Sequence, residues 1–285
     1  MKIWILGAAG QLGSALIDRC QIEKIPFVAS KRSDIDITDL EQLKKGAQGT
    51  HIINCAAYTD VDGAEKNSKR AYAVNSIGPE NLGILAREEG MKILHVSTDY
   101  VFDGEKRIPY EEADRPNPLG VYGKSKWEGE ERLLDQMHSA CIVRTSWIFG
   151  HTGKNFISSL LSKLKNEAHL EAVEDQINRA TYNRDLAYAL IDLCCHSGIF
   201  HFANGEPQSR FDIASDFYEE AMARNIPLKC QKISPVSAGS FPSVSPRPQY
   251  SALDTKKVAL VLGRKPRMWK TILGEYFDHV TSSRR

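Results

Sequence analysis

The fold of this chain is decided by one stretch near its start, Ile3-Trp4-Ile5-Leu6-Gly7-Ala8-Ala9-Gly10-Gln11-Leu12-Gly13. An apolar run followed by a glycine-rich turn is typical of the first strand and first helix of a dinucleotide-binding sheet. We expect Gly7 to permit the tight turn, Gly10 to let a pyrophosphate approach the backbone, and Gly13 to allow close helix–sheet contact. The amides of the turn and the positive end of the helix dipole would then face the phosphates.

Short apolar runs alternate with longer amphipathic ones through the first half of the chain. Predicted strands cover residues 2–6, 26–29, 51–55, 92–97 and 140–144, and predicted helices cover residues 11–20, 39–45, 68–89 and 121–136. Strands this apolar, separated by helices, favour a parallel sheet that is covered on both faces. We therefore predict an α/β protein with a Rossmann-type, doubly wound parallel sheet, whose ligands bind beyond the carboxyl ends of the strands.

The residues after the second predicted strand distinguish between the two nicotinamide dinucleotides. NAD-binding proteins usually place an Asp or Glu there, facing the ribose 2′-hydroxyl. This chain has Ser30, Lys31 and Arg32 instead, and two cations suit a 2′-phosphate that a carboxylate would repel. Asp36 follows and can accept a hydrogen bond from the adenine amine. We predict NADPH as the cofactor, with NADH as a weaker alternative.

The sequence pattern changes after Gly150. Helices are predicted over residues 155–165, 182–195, 211–224 and 268–280, short strands over residues 170–173 and 198–203, and a proline-rich loop over residues 234–250. We predict an NADP-binding Rossmann domain over residues 1–150. Residues 151–285 are expected to form mainly a smaller C-terminal substrate-binding lobe, with some segments, about residues 180–205, returning to the Rossmann domain.

A second motif, Tyr122-Gly123-Lys124-Ser125-Lys126, carries the predicted chemistry. Tyr122 and Lys126 are four residues apart and so share one face of a helix. We expect the Lys126 ammonium to lower the pKa of the Tyr122 phenol and to reach the nicotinamide ribose. Thr98 ends a predicted strand, where its hydroxyl can bind a carbonyl oxygen. Together these residues predict hydride transfer to a ketone, with Tyr122 as the proton donor.

The bulk composition argues against several other classes of protein. Lys plus Arg number 37 and Asp plus Glu number 36, so no global charge attracts nucleic acid or an anionic membrane. No apolar stretch approaches the roughly 20 residues that span a bilayer, and no signal-peptide pattern is present. We therefore predict a cytoplasmic protein. The six cysteines and eight histidines show no metal-ligand spacing, so we predict buried free thiols and no metal site.

Six segments carry a resemblance to a known family: residues 10–13, 54–62, 96–104, 121–126, 144–147 and 175–176. On these residues the chain resembles the dTDP-4-dehydrorhamnose reductase family, a group of extended short-chain dehydrogenases/reductases. Residues 97–104 and 144–147 are specific to that group, whereas the glycine turn and the Tyr-x-x-x-Lys motif occur throughout the superfamily.

The resemblance implies roles for individual residues. Those implied for the cofactor are Gln11, Leu12 and Gly13 at the phosphates, Asp36 and Ile37 near the adenine, and Ala56, Ala57 and Tyr58 along its length. Those implied for the substrate are Thr98, Asp99, Trp147 and Arg247. Within this set, Trp147 is expected to pack on the substrate, and Arg247 is expected beside its diphosphate, which a planar guanidinium suits.

The chain departs from the family pattern in two places. Relatives commonly follow Asp-Gln with a Pro-Thr pair, whereas this chain has Asn178-Arg179-Ala180-Thr181. We expect the missing proline to loosen that turn. Lys31 and Arg32 stand where some relatives carry an acidic residue, so the predicted cofactor follows from this sequence and not from the family.

The implied reaction is the NADPH-dependent reduction of the 4-keto group of dTDP-4-dehydro-6-deoxy-L-mannose to dTDP-L-rhamnose, in dTDP-rhamnose and polysaccharide biosynthesis. Two alternatives stay open. One is a reductase or epimerase on another nucleotide sugar, and the other is a non-catalytic NADP-binding regulatory subunit like the β subunit of methionine adenosyltransferase. The expected partner is the nucleotide-sugar substrate, with neither nucleic acid nor membrane, and the resemblance allows a homodimer.

Overall fold

The computed structural model describes residues 1–153 and 155–282. Within these residues the strands are β1 (Ile3–Leu6), β2 (Phe27–Ser30), β3 (His51–Asn54), β4 (Lys92–Thr98), β5 (Cys141–Thr145), β6 (Ile148–Phe149), β7 (His169–Val173), β8 (Ile177–Asn178), β9 (Thr181–Tyr182), β10 (Gly198–His201), β11 (Gln208–Ser209) and β12 (Lys232–Val236). The helices are α1 (Gln11–Ile22), α2 (Leu40–Gly46), α3 (Val61–Lys66), α4 (Ser68–Tyr72), α5 (Gly78–Glu88), α6 (Val121–Gln136), α7 (Phe156–Asn166), α8 (Asn183–Leu193), α9 (Arg210–Ala223), α10 (Lys256–Leu262) and α11 (Trp269–Ser282).

Six of these strands form one parallel sheet in the order β2-β1-β3-β4-β5-β10. In its centre, Ile3 of β1 lies opposite Phe27 on one side and His51 on the other. The strand order reverses between β1 and β3, which is the switch point where doubly wound sheets bind their ligands. The predicted fold class, an α/β protein with a doubly wound parallel sheet, is confirmed.

Helices cover both faces of this sheet, as its apolar strands require. On one face, Leu16 of α1 and Leu190 of α8 are buried against the strands. On the other face, Leu82 of α5 and Leu133 of α6 are buried with Trp4 of β1. The helix that carries Tyr122 and Lys126 therefore rests on a fully packed layer.

A second apolar core lies away from the sheet. It contains Leu160 of α7, Leu170 of β7, Phe217 of α9 and Phe277 of α11. On this basis we propose the two predicted lobes, residues 1–150 and 151–285. Residues 180–205 return to the first lobe, because β10 is a strand of the sheet and α8 packs against it. Val258 of α10 also packs in the sheet core, so we propose that α10 belongs to the first lobe too.

The structure differs from the predicted elements where local signals are weak. The helix predicted over residues 68–89 runs without a gap through α4, a π-helical segment (Ala73–Ile77) and α5, and Tyr72 and Gly78 at the two joints keep right-handed helical dihedrals. Pro79, which has no N–H to donate, lies where the π-helical segment passes into α5. The loop predicted over residues 234–250 begins inside β12, which pairs with β7. Its Pro235 is tolerated because β12 pairs with a single neighbour, so it is an edge strand. The strands β6, β8, β9 and β11 have two residues each, too few to show the alternation of apolar and polar residues by which a strand is predicted.

The cysteines are unpaired thiols. Those that are buried, as predicted, are Cys20, Cys141, Cys194 and Cys230. Cys55 is half-buried and Cys195 is exposed, which corrects the expectation for these two. Among the described residues, no helix combines the length and apolarity needed to cross a bilayer.

One buried ion pair fastens α6 to the sheet. Arg144 of β5 and Glu130 of α6 are each 2% exposed, with 2.6 Å between Nη2 and Oε2. Arg144 Nε donates to Glu130 Oε1 at 3.0 Å, so the pair is bidentate. Each charge is compensated by hydrogen bonds to the other. Removing either residue would therefore leave an uncompensated buried charge, which is strongly destabilising.

We expect Arg144→Met to destabilise the protein by about 3–5 kcal/mol, because Glu130 is left buried and unpaired. The double variant Arg144→Met/Glu130→Leu removes both charges and should recover most of that loss in urea unfolding. Arg132→Met, which removes a half-exposed partner of Glu80 and Glu128, is the control and should cost less than about 1 kcal/mol. Equal losses in the single and double variants would contradict the interpretation.

Candidate functional site

A cavity of about 630 Å³ opens at the carboxyl ends of β1, β3, β4 and β5. The predicted site residues that line it are Gly7, Gly10, Gln11, Leu12, Gly13, Arg32, Asp36, Ile37, Ala56, Ala57, Tyr58, Thr98, Asp99, Tyr122, Lys126, Trp147 and Arg247. Lys31 is the exception among the predicted residues. It is exposed, and its amide donates to Asp34 Oδ2 at 2.9 Å.

The glycine turn has the geometry that a pyrophosphate needs. Gly7 has φ +77°, and a Cβ there would lie 2.6 Å from the Ala56 nitrogen, so no other residue fits. Gly10 is the N-cap of α1 and offers no side chain to its first amides. These amides point out of the helix without a side-chain cap, which is the arrangement that binds anions. The turn therefore fits the phosphates of a dinucleotide.

Arg32 and Arg70 are two cations that line the cavity. Arg32 has a 70% exposed side chain and its Nε lies 4.0 Å from Asp36 Oδ2, a distance that leaves most of the guanidinium's donors available. No sequence motif marks Arg70, which lies on α4. Its position in the cavity follows from the fold of the segment after β3.

The phenol of Tyr122 meets the hydroxyl of Thr98 at the floor of the cavity. The Thr98 hydroxyl lies close enough to lower the pKa of the phenol, and Thr98 Oγ1 donates to Asp99 Oδ1 at 3.1 Å. Burial raises the pKa of Tyr122 well above that of a free phenol, and the nearby carboxylate of Asp99 raises it further. Tyr122 therefore keeps its proton at neutral pH.

Lys126 faces into the protein. Its Nζ donates to Val96 O at 2.7 Å and lies 3.0 Å from His95 Nε2. The expectation that Lys126 lowers the pKa of Tyr122 is therefore corrected, because burial and not the ammonium dominates the environment of the phenol. Burial also lowers the pKa of Lys126 itself to about 8.

A buried chain of polar groups explains how Lys126 is held. The Ala56 amide donates to Asn54 Oδ1 at 3.0 Å, so the amide nitrogen of Asn54 faces His95 Nδ1, also at 3.0 Å. Nδ1 then accepts, and in a neutral ring the proton sits on Nε2, facing Lys126. Burial lowers the pKa of His95 well below its usual range, which keeps the ring neutral. This arrangement favours the uncharged amine of Lys126.

Asp99 is fully engaged by protein donors. Its Oδ2 accepts from Asn178 Nδ2 and from Ser251 Oγ, both at 2.7 Å. Burial nevertheless raises the pKa of Asp99 to about 6. Asn178 also accepts from the Arg179 amide, so the segment expected to be loose for want of a proline is tied to β4. The sequence showed Asn178 only as a departure from the family pattern.

Trp147 holds an unusual backbone conformation beside the cavity. Its φ is +39°, a left-handed value that costs a bulky residue about 1–3 kcal/mol and clusters at functional sites. The guanidinium of Arg210 lies 4.4 Å from the centre of its ring. Arg210 was not predicted: the Ser209-x-x-Asp212 capping pair signals the start of α9, but no sequence signal places that start beside Trp147.

Arg210 and Arg247 mark the junction of two cavities. Both line the main cavity and a second one of about 320 Å³. The second cavity is walled largely by apolar side chains, among them Phe156, Leu160 and Phe241. Arg247 pairs with Asp62 at 3.2 Å. A ligand that joins an apolar planar group to a sugar through an anionic linker would fit this arrangement.

The fold and this cavity define a Rossmann-type, dinucleotide-binding protein. More narrowly, the chain belongs to the family described as RmlD substrate binding domain, whose model matches residues 1–282. It is 40% identical over 281 residues to the dTDP-4-dehydrorhamnose reductase of Mycobacterium tuberculosis, a match that covers 95% of this chain and 91% of that protein. The family resemblance predicted from the motifs is confirmed.

Solved structures give the same result. The chain is similar to a dTDP-4-dehydrorhamnose reductase of Clostridium acetobutylicum, with a TM-score of 0.92 and 34% identity over 99% of this chain and 100% of that one. It is also similar to the dTDP-4-dehydrorhamnose reductase of Bacillus anthracis in complex with NADP, with a TM-score of 0.91 and 32% identity over 98% and 99% of the two chains.

The raised pKa of Asp99 predicts that the free energy of unfolding of the protein depends on pH. Its pKa rises from 3.8 to about 6 on folding, so the protonated form is favoured in the folded state. This stabilisation is complete below pH 3.8 and is lost as the pH rises through about 6. Asp99→Asn should therefore gain about 1.4 kcal/mol relative to wild type between pH 5 and pH 7.5 in urea unfolding. Asp135→Asn, at an exposed position, is the control, and a constant difference for Asp99→Asn across this range would contradict the assignment.

Proposed function

We propose that the protein reduces the 4-keto group of dTDP-4-dehydro-6-deoxy-L-mannose with NADPH, giving dTDP-L-rhamnose. The observation that carries this proposal is the contact between the Tyr122 phenol and the Thr98 hydroxyl in the same cavity as the glycine turn. A proton donor and an oxygen-binding hydroxyl then lie where a dinucleotide would end. The names of the relatives support this reaction above the two alternatives, an epimerase or reductase of another nucleotide sugar and a regulatory subunit.

The residues that would hold the cofactor follow the cavity from the turn to the floor. The α1 amides and Gly10 would face its phosphates, Arg32 its 2′-phosphate, and Asp36 its adenine. When bound, NADPH supplies the hydride that the keto carbon accepts. We propose that Lys126, which lines the cavity beside Tyr122, approaches the nicotinamide ribose.

Tyr122 and Thr98 perform the proton chemistry. As the keto oxygen gains negative charge, Tyr122 donates its phenolic proton to it, a proton that the phenol holds at neutral pH. Thr98 fixes the orientation of the phenol. The Thr98 hydroxyl is itself held by Asp99, to which it donates. Asp99 therefore positions the pair through Thr98, since its own oxygens are already engaged.

The substrate would occupy both cavities. We propose that its sugar lies over Trp147, its diphosphate between Arg210 and Arg247, and its base in the apolar second cavity. Two guanidinium groups at the junction offer the planar donors that a diphosphate accepts. We further propose that the protein works in the cytoplasm, without nucleic acid or membrane, and that it can assemble as a homodimer.

Removal of the Tyr122 hydroxyl tests the reaction. Tyr122→Phe should reduce turnover by about 10²–10⁴, the effect of losing a general acid, while the dissociation constant of NADPH stays the same. Turnover is measured as loss of NADPH absorbance over a panel of 4-keto nucleotide sugars, with the stereochemistry of the product determined. Tyr188→Phe, outside the cavity, should remain fully active. Inertness of the wild type toward the whole panel, or normal turnover in Tyr122→Phe, would overturn the proposal.

Arg32 should decide the choice of dinucleotide. A guanidinium–phosphate contact contributes about 1.5–3 kcal/mol, so Arg32→Glu should weaken NADPH binding by roughly 10–100-fold and leave NADH binding nearly unchanged. The matched control is Lys31→Glu, because Lys31 does not line the cavity. Binding is followed by quenching of tryptophan fluorescence. If wild type binds NADH as tightly as NADPH, the assignment fails.

A further inference from the structure

Three side chains with metal-binding atoms meet at the amino end of the sheet, at the opposite end of β3 from the cavity. They are His51, the first residue of β3, and Cys194 and Cys195, which follow α8. One ligand atom from each lies within 4.8 Å of the other two. A metal centre places its ligand atoms roughly 3.5–4 Å apart, so small side-chain rotations would bring these three onto one ion.

A fourth soft donor lies beside the three. Cys195 Sγ is 3.4 Å from His51 Nε2, and Cys194 Sγ is 3.3 Å from the thioether sulfur of Met1. Zinc sites are built from thiolate, imidazole and carboxylate. A set that combines thiolates with a thioether is softer, and softness of this kind favours copper(I).

The imidazole of His51 is already oriented for this task by Thr50. Thr50 Oγ1 accepts from the Lys2 amide at 3.1 Å and lies 3.4 Å from Lys2 O, toward which its own proton points. The hydroxyl oxygen is then an acceptor for His51 Nδ1, at 2.8 Å. With the proton on Nδ1, the lone pair of Nε2 faces the cysteines. A hydrogen bond from the second ring nitrogen is the usual support of a histidine ligand.

The helix end suits a cation here, and Lys92, whose Nζ donates to Cys195 O at 3.3 Å, would offset the charge of the two thiolates. The cluster lies at the carboxyl end of α8, where the partial negative charge of an eleven-residue helix favours positive charge. Cys195 is exposed and Met1 is 52% exposed, so an ion can enter from solvent, whereas Cys194 anchors the group from within. We propose that this cluster binds a single copper(I) ion, with Cys194, Cys195 and His51 as ligands and the Met1 thioether completing the set.

Bound copper(I) would join three separate segments: the chain start, the beginning of β3 and the end of α8. Binding forms copper bonds to the two thiolates, the imidazole nitrogen and the thioether, and it releases the two thiol protons to solvent. No oxidant or reductant is needed, because the metal enters and remains as Cu⁺. The proposal does not depend on the proposed reductase function, since the cluster and the cavity lie at opposite ends of β3.

The test is a titration of the full-length protein with Cu⁺ under anaerobic, reducing conditions, in competition with the chelator bathocuproine disulfonate. We expect one tightly held equivalent, an X-ray absorption spectrum with sulfur and nitrogen neighbours, and a raised melting temperature. Cys195→Ser and His51→Gln, both at accessible positions, should each weaken binding at least about tenfold. Turnover of both variants with NADPH should equal that of wild type.

His138→Gln is the matched control, because His138 is an exposed histidine outside the cluster, and it should bind copper(I) as wild type does. Circular dichroism of each variant confirms folding before titration. Failure of the wild type to retain copper(I), or equal retention by Cys195→Ser and His51→Gln, would overturn the proposal. A result in which these variants lose only Zn²⁺ binding would overturn the choice of copper.

Discussion

The carboxylate of Asp99 is the point at which three distant parts of the chain meet. Asp99 directly follows β4, its Oδ1 accepts from Thr98, and its Oδ2 accepts from Asn178 and Ser251. A buried charge is costly unless donors surround it, and these donors come from segments of the second lobe. The hydrogen bonds from Asn178 and Ser251 that compensate the buried carboxylate therefore also hold the second lobe over the floor of the cavity. They also set the direction of the Thr98 hydroxyl, and through it the Tyr122 phenol.

The environment of Tyr122 keeps the phenol protonated. A reductase needs a donor that holds its proton until charge develops on the keto oxygen. Burial gives Tyr122 a raised pKa, and Lys126 is turned away toward Val96 and His95. The spacing of Tyr122 and Lys126 correctly indicates a shared helix face, but it does not show the tilt of each side chain. That tilt is set by Asn54 and His95, which lie on two neighbouring strands.

Local sequence signals were sufficient for the sheet and for the turn. A glycine after an apolar strand predicts the turn at Gly7. The structure adds the reason for the glycine, which is the close approach of the Ala56 backbone. Arg210 shows the opposite case. Its helix start can be predicted from Ser209 and Asp212, yet its contact with Trp147 depends on how α9 packs against the segment after β5. Lys31 and Arg32 are neighbours with the same charge, and only the path of the loop after β2 decides that Arg32 faces the cavity.

Helix α8 runs from the cavity at one end of the sheet to the His51–Cys194–Cys195 cluster at the other. Its first residue, Asn183, donates to the Gln11 carbonyl beside the cofactor turn, so its positive end serves the cavity. The negative end, ten residues later, cannot take part in binding phosphates. It meets the starts of β1 and β3, where parallel strands bring residues 1 and 51 together although they are far apart in sequence. Cys194 and Cys195 join that edge only because α8 packs antiparallel to the strands. A search for ligand spacing along the chain cannot detect a group assembled in this way.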